Sequence, residues 1–254
     1  MNSLTLQSLD NVPDINPGDD LAAIIFKSIS ETNTKVLEGT IFVIAQKIVS
    51  KSENRYINLD SVIPSNQAIE LSKKLDKSAN FVELVLNESN SVISSNNNVL
   101  IVEHKLGFIN INAGIDRSNI DQSTNQVLLL PEDPNQSAED IGNELSILLG
   151  LQVHIIISDS MTRAYRYGIT GFAIGSSGIN CLLDKKGSTD MYGNTLATTE
   201  IASGDELAAA ASILMGQGDQ RKPIVLINGY KDDAKVTTNA KALGILKKDD
   251  LYGN

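Results

Sequence analysis

Apolar residues recur along this chain with two periods, and each change of period marks an element. Leu21, Ile24, Ile25 and Ile29 share one helical face behind Pro17-Gly18-Asp19-Asp20, which predicts a capped helix over 21–30. After Gly39, the β-branched run Thr40-Ile41-Phe42-Val43-Ile44-Ala45 has strand length and leads into Gln46-Lys47-Ile48-Val49-Ser50-Lys51. Helical spacing returns from Pro64-Ser65 through Ala68, Leu71 and Leu75, and again over 79–88 with Phe81, Val82, Val85 and Leu86. A turn at 96–98 opens a hairpin of 99–102 and 107–109, and Asn112-Ala113-Gly114-Ile115-Asp116 is the next break. A short strand over 127–130 stops at Pro131, and Pro134 and Ser137 introduce a helix reaching about Leu149. Val153 to Ile157 reads as a buried strand that ends in Ser158-Asp159-Ser160. Ser203-Gly204-Asp205-Glu206 is expected to cap an Ala-rich helix over 207–215 that stops at Gly216, and 224–227 is a last strand. Helices and hairpins segregate rather than alternate, so the fold class is α+β with mixed sheets, not a doubly wound sheet. Residues 1–230 form the folded unit, in one piece or two lobes, and 231–254 a polar, lysine-rich tail.

Composition narrows the setting. A chain of 254 residues with 41% hydrophobic content can bury a substantial core. The formal net charge of −10 argues against broad binding to nucleic acid or an anionic membrane, though not against a small anion held by a few arginines and lysines. Cys181 is the sole cysteine, which excludes an intramolecular disulfide. No apolar run has the length of a membrane span, and residues 1–20 carry no secretion-signal pattern; the expected location is cytoplasmic.

The chemistry concentrates between 157 and 175. Asp159, flanked by Ser158 and Ser160, makes a hard-oxygen site suited to a divalent cation. Arg163 and Arg166 offer planar forks that suit phosphate or carboxylate, and Gly168, Gly171 and Gly175 allow close approach of backbone to a ligand. Asp116 is a second acid at a chain break; one reading is a plain turn residue, the other a metal ligand shared with Asp159. Neither acid has a histidine or cysteine at ligand spacing, so magnesium or manganese fits better than zinc. Lys51 is either a solvated lysine or an amine directed into the same cleft. Gly216-Gln217-Gly218 is either a helix stop or a loop around a ligand. The two arginines either hold a substrate anion or form structural ion pairs. No Walker-type or dinucleotide glycine motif occurs, and no nucleophile elbow. Cys181, His104 and His154 read as structural.

Seven motifs occur in one order: Gly18-Asp19-Asp20-Leu21-Ala22, Ile48-Val49-Ser50-Lys51, the stretch from Asn112 to Asn119, Leu130-Pro131-Glu132-Asp133-Pro134, Ser158-Asp159-Ser160, Gly171-Phe172-Ala173-Ile174-Gly175 and Asp205-Glu206-Leu207-Ala208-Ala209-Ala210. Over roughly residues 9 to 230 the chain resembles the coenzyme F420-0:L-glutamate ligase family. The resemblance implies that family's α+β fold and an intertwined homodimer. It also implies a GTP-dependent ligase joining L-glutamate to the deazaflavin precursor F420-0, then adding a second glutamate in γ-linkage, with two divalent ions (Mg²⁺ or Mn²⁺) and K⁺ in support. It places Asp116, Asp159, Ser160 and Gln217 on metal-binding positions. Asp10, Asn11, Val12, Pro13, Gln46, Lys47, Lys51, Asn119, Gly216, Gln217 and Gly218 fall on GTP-contacting positions. The chain departs from the family's usual residues at Thr162, Tyr165 and Ser203-Gly204, and with the sequence ending near Asn254 it is expected to be without the nitroreductase-like domain fused to some bacterial relatives.

Such a reaction needs these residue types. A carboxylate is a poor acyl donor until phosphorylated, and phosphoryl transfer is mainly a matter of positioning and charge neutralisation. Lys51, Arg163 and Arg166 are the candidate catalytic cations. Two other classes stay open: a metal-dependent phosphohydrolase that needs no glutamate, and a nucleotide-binding regulator without turnover.

Overall fold

A computed structural model describes residues 3–96, 98–118, 124–231 and 237–251. The chain forms β1 (Thr5–Ser8), α1 (Leu21–Thr32), β2 (Ile41–Ala45), α2 (Gln46–Ser52), β3 (Tyr56–Asn58), α3 (Asn66–Leu75), α4 (Ala79–Asn87), β4 (Ser89–Asn96), β5 (Val99–His104) and β6 (Ile109–Ile111). It continues with β7 (Gln126–Leu128), α5 (Pro134–Leu149), β8 (His154–Arg163), β9 (Arg166–Ser177), β10 (Leu183–Asp184), β11 (Glu200–Ile201), α6 (Ser203–Met215) and β12 (Ile224–Asn228). The class is mixed α and β, as the hydrophobic pattern predicts. None of the described helices is long and apolar enough to cross a membrane.

The main sheet has the order β1-β12-β2-β8-β9, with β2 and β8 parallel and the other neighbours antiparallel. Its central strands are continuous apolar runs because helices cover both faces. Phe42, Ile44, Ile155, Ile157, Ile224 and Leu226 face α1 and α5. The alternate residues Ile41, Val43, Ile156, Val225 and Ile227 face α6. Asp20 caps α1 through a bond from the Ala23 N–H at 2.9 Å, and Asp133 caps α5 from Asn135 and Gln136. A second core joins α3, α4, the β4-β5-β6 sheet and the β3-β7 pair around Leu75, Phe81, Val85, Leu100 and Val127.

The largest departure from the sequence reading lies in β8. The strand does not end at Ile157. It runs on through Asp159 to Arg163 and turns back as β9, making one long antiparallel hairpin. Hydroxyl and charged residues continue a strand here because β9 supplies a full ladder of partners. A register shift between Ile157 and Ser158, opposite Gly175 and Ala173, kinks the hairpin just before Asp159.

Gly171 and Gly175 also take a different part from the expected one. A Cβ at Gly171 would lie 2.5 Å from the Ala208 carbonyl oxygen of α6, and one at Gly175 would strike the Pro134 carbonyl of α5. These glycines admit helix backbones on opposite faces of β9, not a ligand. Gly168, with φ +84° and open space around it, serves the exposed hairpin end.

The segment Ser203-Gly204-Asp205-Glu206 lies inside α6 rather than ahead of it. The Asp205 carboxylate accepts the Ala173 N–H of β9 at 2.9 Å, so it ties helix to sheet instead of capping the helix. Cys181 is buried, donates to the Ser176 hydroxyl at 3.0 Å, and has its thiol pushed up to about 11 by burial. Beyond Gly229, part of the polar stretch is packed: Ala240 is buried and the Thr238 N–H donates to Asn180 Oδ1 at 2.9 Å.

Candidate functional site

Strands β2 and β8 run parallel and in register to Ala45 and Ser158, so both chains reach the same edge of the sheet. Clefts outside the carboxyl ends of parallel strands are where such sheets present ligand sites. Here α2 begins at Gln46 and Asp159 is the next residue of β8. Asp159 lies opposite Phe172 on the face that Ile155 and Ile157 fill.

The second core supplies the other half of this seam. Residues Asn112, Ala113 and Gly114 have φ of +50°, +54° and +65°, three left-handed residues in succession. Alanine in that conformation costs about 1 kcal/mol or more, and the buried Ala113 side chain holds it in place. The turn delivers Asp116, whose N–H and C=O exchange bonds of 2.8 and 3.0 Å with Leu128. Asn110 Nδ2 then donates to Asp159 Oδ2 at 3.3 Å, joining the two halves. An aromatic chain runs beside this contact: His104 stacks on Phe108 at 5.3 Å, and Phe108 meets Phe172 edge-on at 5.2 Å. His104 is kept neutral, pushed down to about 4 by burial and by nearby Lys105 and Arg55.

Asp116 and Asp159 are thus brought within electrostatic reach of one another. Burial is the main cause that pushes the Asp159 carboxyl up to about 7; Asp116 adds to it, while the Ser160 N–H, Lys47 and Asn110 oppose it. Asp116 is held differently. Its Oδ2 pairs with Lys47 Nζ at 2.5 Å, and its Oδ1 accepts from the Ser118 N–H at 2.8 Å and hydroxyl at 2.7 Å. Lys47 Nζ also donates to the Ser118 hydroxyl and carbonyl at 3.0 and 3.2 Å. Two carboxylates, one of them destabilised as an anion, suit a hard divalent cation. Among the described residues no three His, Cys, Asp or Glu side chains converge. Any such ion would therefore also need hydroxyl, amide, phosphate or water oxygens.

The other sequence-derived residues are distributed around this pair. Ser160 follows Asp159 on β8. The end of α6 approaches the same edge, where the Ser158 hydroxyl meets Met215 Sδ at 3.9 Å, and the exposed Gln217 lies two residues on. Gly216 and Gly218 belong to a loop closed on Gln220, whose Oε1 accepts the Gly218 N–H at 2.8 Å. Lys222 pairs with Asp10, which joins that loop to the Asp10-Asn11-Val12-Pro13 segment; Asn11 has φ +59°, and Val12 packs on the core. The Gln46 side chain is buried and accepts from the Ser50 hydroxyl at 2.9 Å. Lys51 sits in the last turn of α2 and makes no ion pair among the described residues. Asn119 lies outside the described residues.

Arg163 and Arg166 face each other across the hairpin turn, both exposed. Arg163 stands four positions after Asp159 on the strand, roughly 13 Å along the chain at the strand rise. Neither arginine forms an ion pair among the described residues, so the structural alternative for them finds no support there. The sequence reading missed Asn110 and Ser118 as partners of the two aspartates. The signal for Asn110 was one amide between two isoleucines in a strand, which became meaningful only once β6 was seen to lie against β8.

The family model described as F420-0:Gamma-glutamyl ligase matches residues 10–229. Among curated relatives, the Coenzyme F420:L-glutamate ligase of Methanothermobacter thermautotrophicus is 40% identical over 227 residues, which is 89% of each chain. That of Methanocaldococcus jannaschii is 42% identical, covering 91% of this chain and 94% of its own length. One from Methanococcus maripaludis strain C7 is 44% identical over 84% of each. The matched span takes in both halves of the seam and both aspartates, and the chain belongs to the F420-0:gamma-glutamyl ligase family.

Proposed function

We propose that the protein is a GTP-dependent ligase that joins L-glutamate to the terminal carboxylate of the deazaflavin precursor F420-0, and then adds a second glutamate in γ-linkage. The observation that carries this reading is the Asp116–Asp159 pair at the seam, within a chain matched to this family over residues 10–229. In the proposed reaction, an acceptor carboxylate oxygen attacks the γ-phosphorus of GTP. The bond to the β-phosphate oxygen breaks, giving an acyl phosphate and GDP. The glutamate amine then attacks the acyl carbon, inorganic phosphate departs, and the amine proton passes to solvent or phosphate.

The protein's own groups act by holding and excluding. Asp116 and Asp159, with Ser160 and Gln217, would hold Mg²⁺ or Mn²⁺; when bound, such ions neutralise phosphate charge. Lys47, already at Asp116, is positioned to exchange that carboxylate for a phosphate oxygen. The segment from Asp10 to Pro13 and the loop from Gly216 to Gly218 would enclose the nucleotide, with Gln46, Lys51 and Asn119 as further contacts. K⁺ is proposed as a supporting ion. Lys51, Arg163 and Arg166 are proposed as catalytic cations. For the arginines this requires substrate or a second copy of the chain at the hairpin end.

A homodimer is part of the same proposal. The hairpin end exposes Tyr165 and Tyr167 fully and Ile169 by 48%, an apolar group beyond the sheet edge. Light scattering is expected to give twice the chain mass at micromolar concentration, and Tyr165→Ser with Tyr167→Ser to give a monomer. A wild-type monomer at that concentration would remove the dimer from the reading.

The decisive test is mass spectrometry after incubation with GTP, Mn²⁺, L-glutamate and F420-0. Glutamylated F420-0 with stoichiometric GDP is expected, and no product when glutamate is omitted. Phosphate release that ignores glutamate would instead mark a phosphohydrolase. Binding of GTP without turnover would mark a regulator.

A further inference from the structure

The cation seated on Asp116 is an amine of the chain itself. Lys47 stands in the first turn of α2, directly behind the end of the parallel strand β2 at Ala45. Its Nζ lies 2.5 Å from Asp116 Oδ2, 3.0 Å from the Ser118 hydroxyl and 3.2 Å from the Ser118 carbonyl. One short turn thus sets three oxygens around one ammonium, and carboxylate, carbonyl and hydroxyl oxygens are also what a hard metal cation takes. Asp116 Oδ1 is committed to the Ser118 N–H and hydroxyl, at 2.8 and 2.7 Å, which leaves Oδ2 as the oxygen a cation can claim. The contact is open to exchange: the Lys47 and Asp116 side chains are 22% and 19% exposed, and Asp116 and Ser118 line a cavity of about 770 Å³. A divalent ion and an ammonium cannot share Oδ2, because two cations at contact distance repel strongly even where solvent screens them. Lys47 is also able to leave, since its four-carbon stem is flexible while α2 holds its backbone.

We propose that Lys47 is a built-in competitor for the metal position at Asp116, displaced only when a polyphosphate arrives to take its ammonium. The nature of that polyphosphate, a nucleoside triphosphate, rests on the ligase reading above. Without nucleotide, the ammonium fills the Asp116 side of the pair, and a divalent ion finds only the Asp159 side free. A triphosphate brings oxygens that accept from Lys47 and further oxygens that bind the ion. One ligand therefore frees Asp116 and adds to the ion's shell in the same event. Nucleotide and metal then load together, each raising the affinity of the other by the same factor. The alternative is a pair that only braces α2 against the turn after β6, and such a brace would hold whether or not an ion is offered.

The test is calorimetric titration of the nucleotide-free full chain with Mn²⁺, comparing wild type with Lys47→Met, Lys47→Arg and the double variant Lys47→Met with Asp116→Asn. Lys47→Met removes the ammonium and is expected to tighten Mn²⁺ binding about tenfold or more, the scale of one charge-assisted contact. Lys47→Arg keeps the charge and should stay within about threefold of wild type. The double variant should lose the gain, because the added affinity runs through Asp116. Metal-free melting curves check that each variant folds, and Lys47→Gln, which keeps a donor for Ser118, replaces the methionine variant if that one melts early. Unchanged or weaker Mn²⁺ binding in the neutral variant overturns the proposal. So does a gain that survives Asp116→Asn, or an equal gain in Lys47→Arg. Any of these leaves the ligase reading intact, since amide product from the wild type is read separately by mass. Absence of that product sinks the ligase reading, while the titration still decides whether Lys47 competes with the metal.

Discussion

Asp159→Asn is expected to reduce ligation about a thousandfold or more while making the metal-free protein more stable at pH 8. The first effect follows from removing one of two anionic groups that would hold a divalent ion; about 4 kcal/mol of lost charge stabilisation corresponds to that factor. The second follows from the raised Asp159 carboxyl, at about 7 against an ordinary 3.8. A carboxyl that is harder to ionise in the folded state favours folding below pH 4. That contribution is lost as pH rises through 7, and above it the anion is a net burden on the fold. Asparagine carries no charge at any pH, and the Asn110 amide can still donate to its oxygen. The gain should be of order a few kcal/mol at pH 8 and vanish near pH 4, read from melting curves at both values. Asp116→Asn should lose ligation equally without the stabilisation, because Lys47 and Ser118 already satisfy that carboxylate. Calorimetric titration of the wild type with Mn²⁺ should show affinity rising with pH up to about 7, as the proton on Asp159 ceases to compete. Near-wild-type turnover of Asp159→Asn at saturating GTP would reject the metal role.

Gly175→Ala is expected to cost about 3 kcal/mol or more of stability, a fall in melting temperature of roughly 6–12 °C for a chain of this size. The added methyl would meet the Pro134 backbone at the start of α5, where no rotamer change can make room. The same substitution at Gly168 should cost only about 1 kcal/mol for its left-handed φ, since nothing lies within 4 Å. Differential scanning calorimetry compares the two. If Gly175→Ala kept the wild-type melting temperature and raised KM for GTP instead, the glycine would serve a ligand and not the helix.

The contrast between these glycines shows where the sequence stopped being legible. Gly171-Phe172-Ala173-Ile174-Gly175 announces close approach, because a glycine has no side chain to hold another group away. What approaches is a tertiary fact: α5 on one face and α6 on the other. In the same way, Ser203-Gly204-Asp205-Glu206 has the composition of a helix cap. Yet Gly204 lies against Cys181, and the Asp205 carboxylate finds a better partner in the Ala173 N–H across the sheet.

Periodicity alone determined α1, α3, α4, α5, β2 and β12, because each buries a face or a whole segment and local spacing must match that burial. It could not determine β1 and β4. The first is a short edge strand whose register comes from β12, and the second is rich in Ser and Asn and is specified by pairing with β5. At the candidate site, chain chemistry singled out Asp116 and Asp159, forty-three positions apart, as hard-oxygen acids. Only the tertiary packing brought them together: β6 against β8 sets Asn110 at one aspartate, and α2 carries Lys47 to the other. A carboxylate's identity is local, whereas its ionisation is set by the groups that the fold places around it.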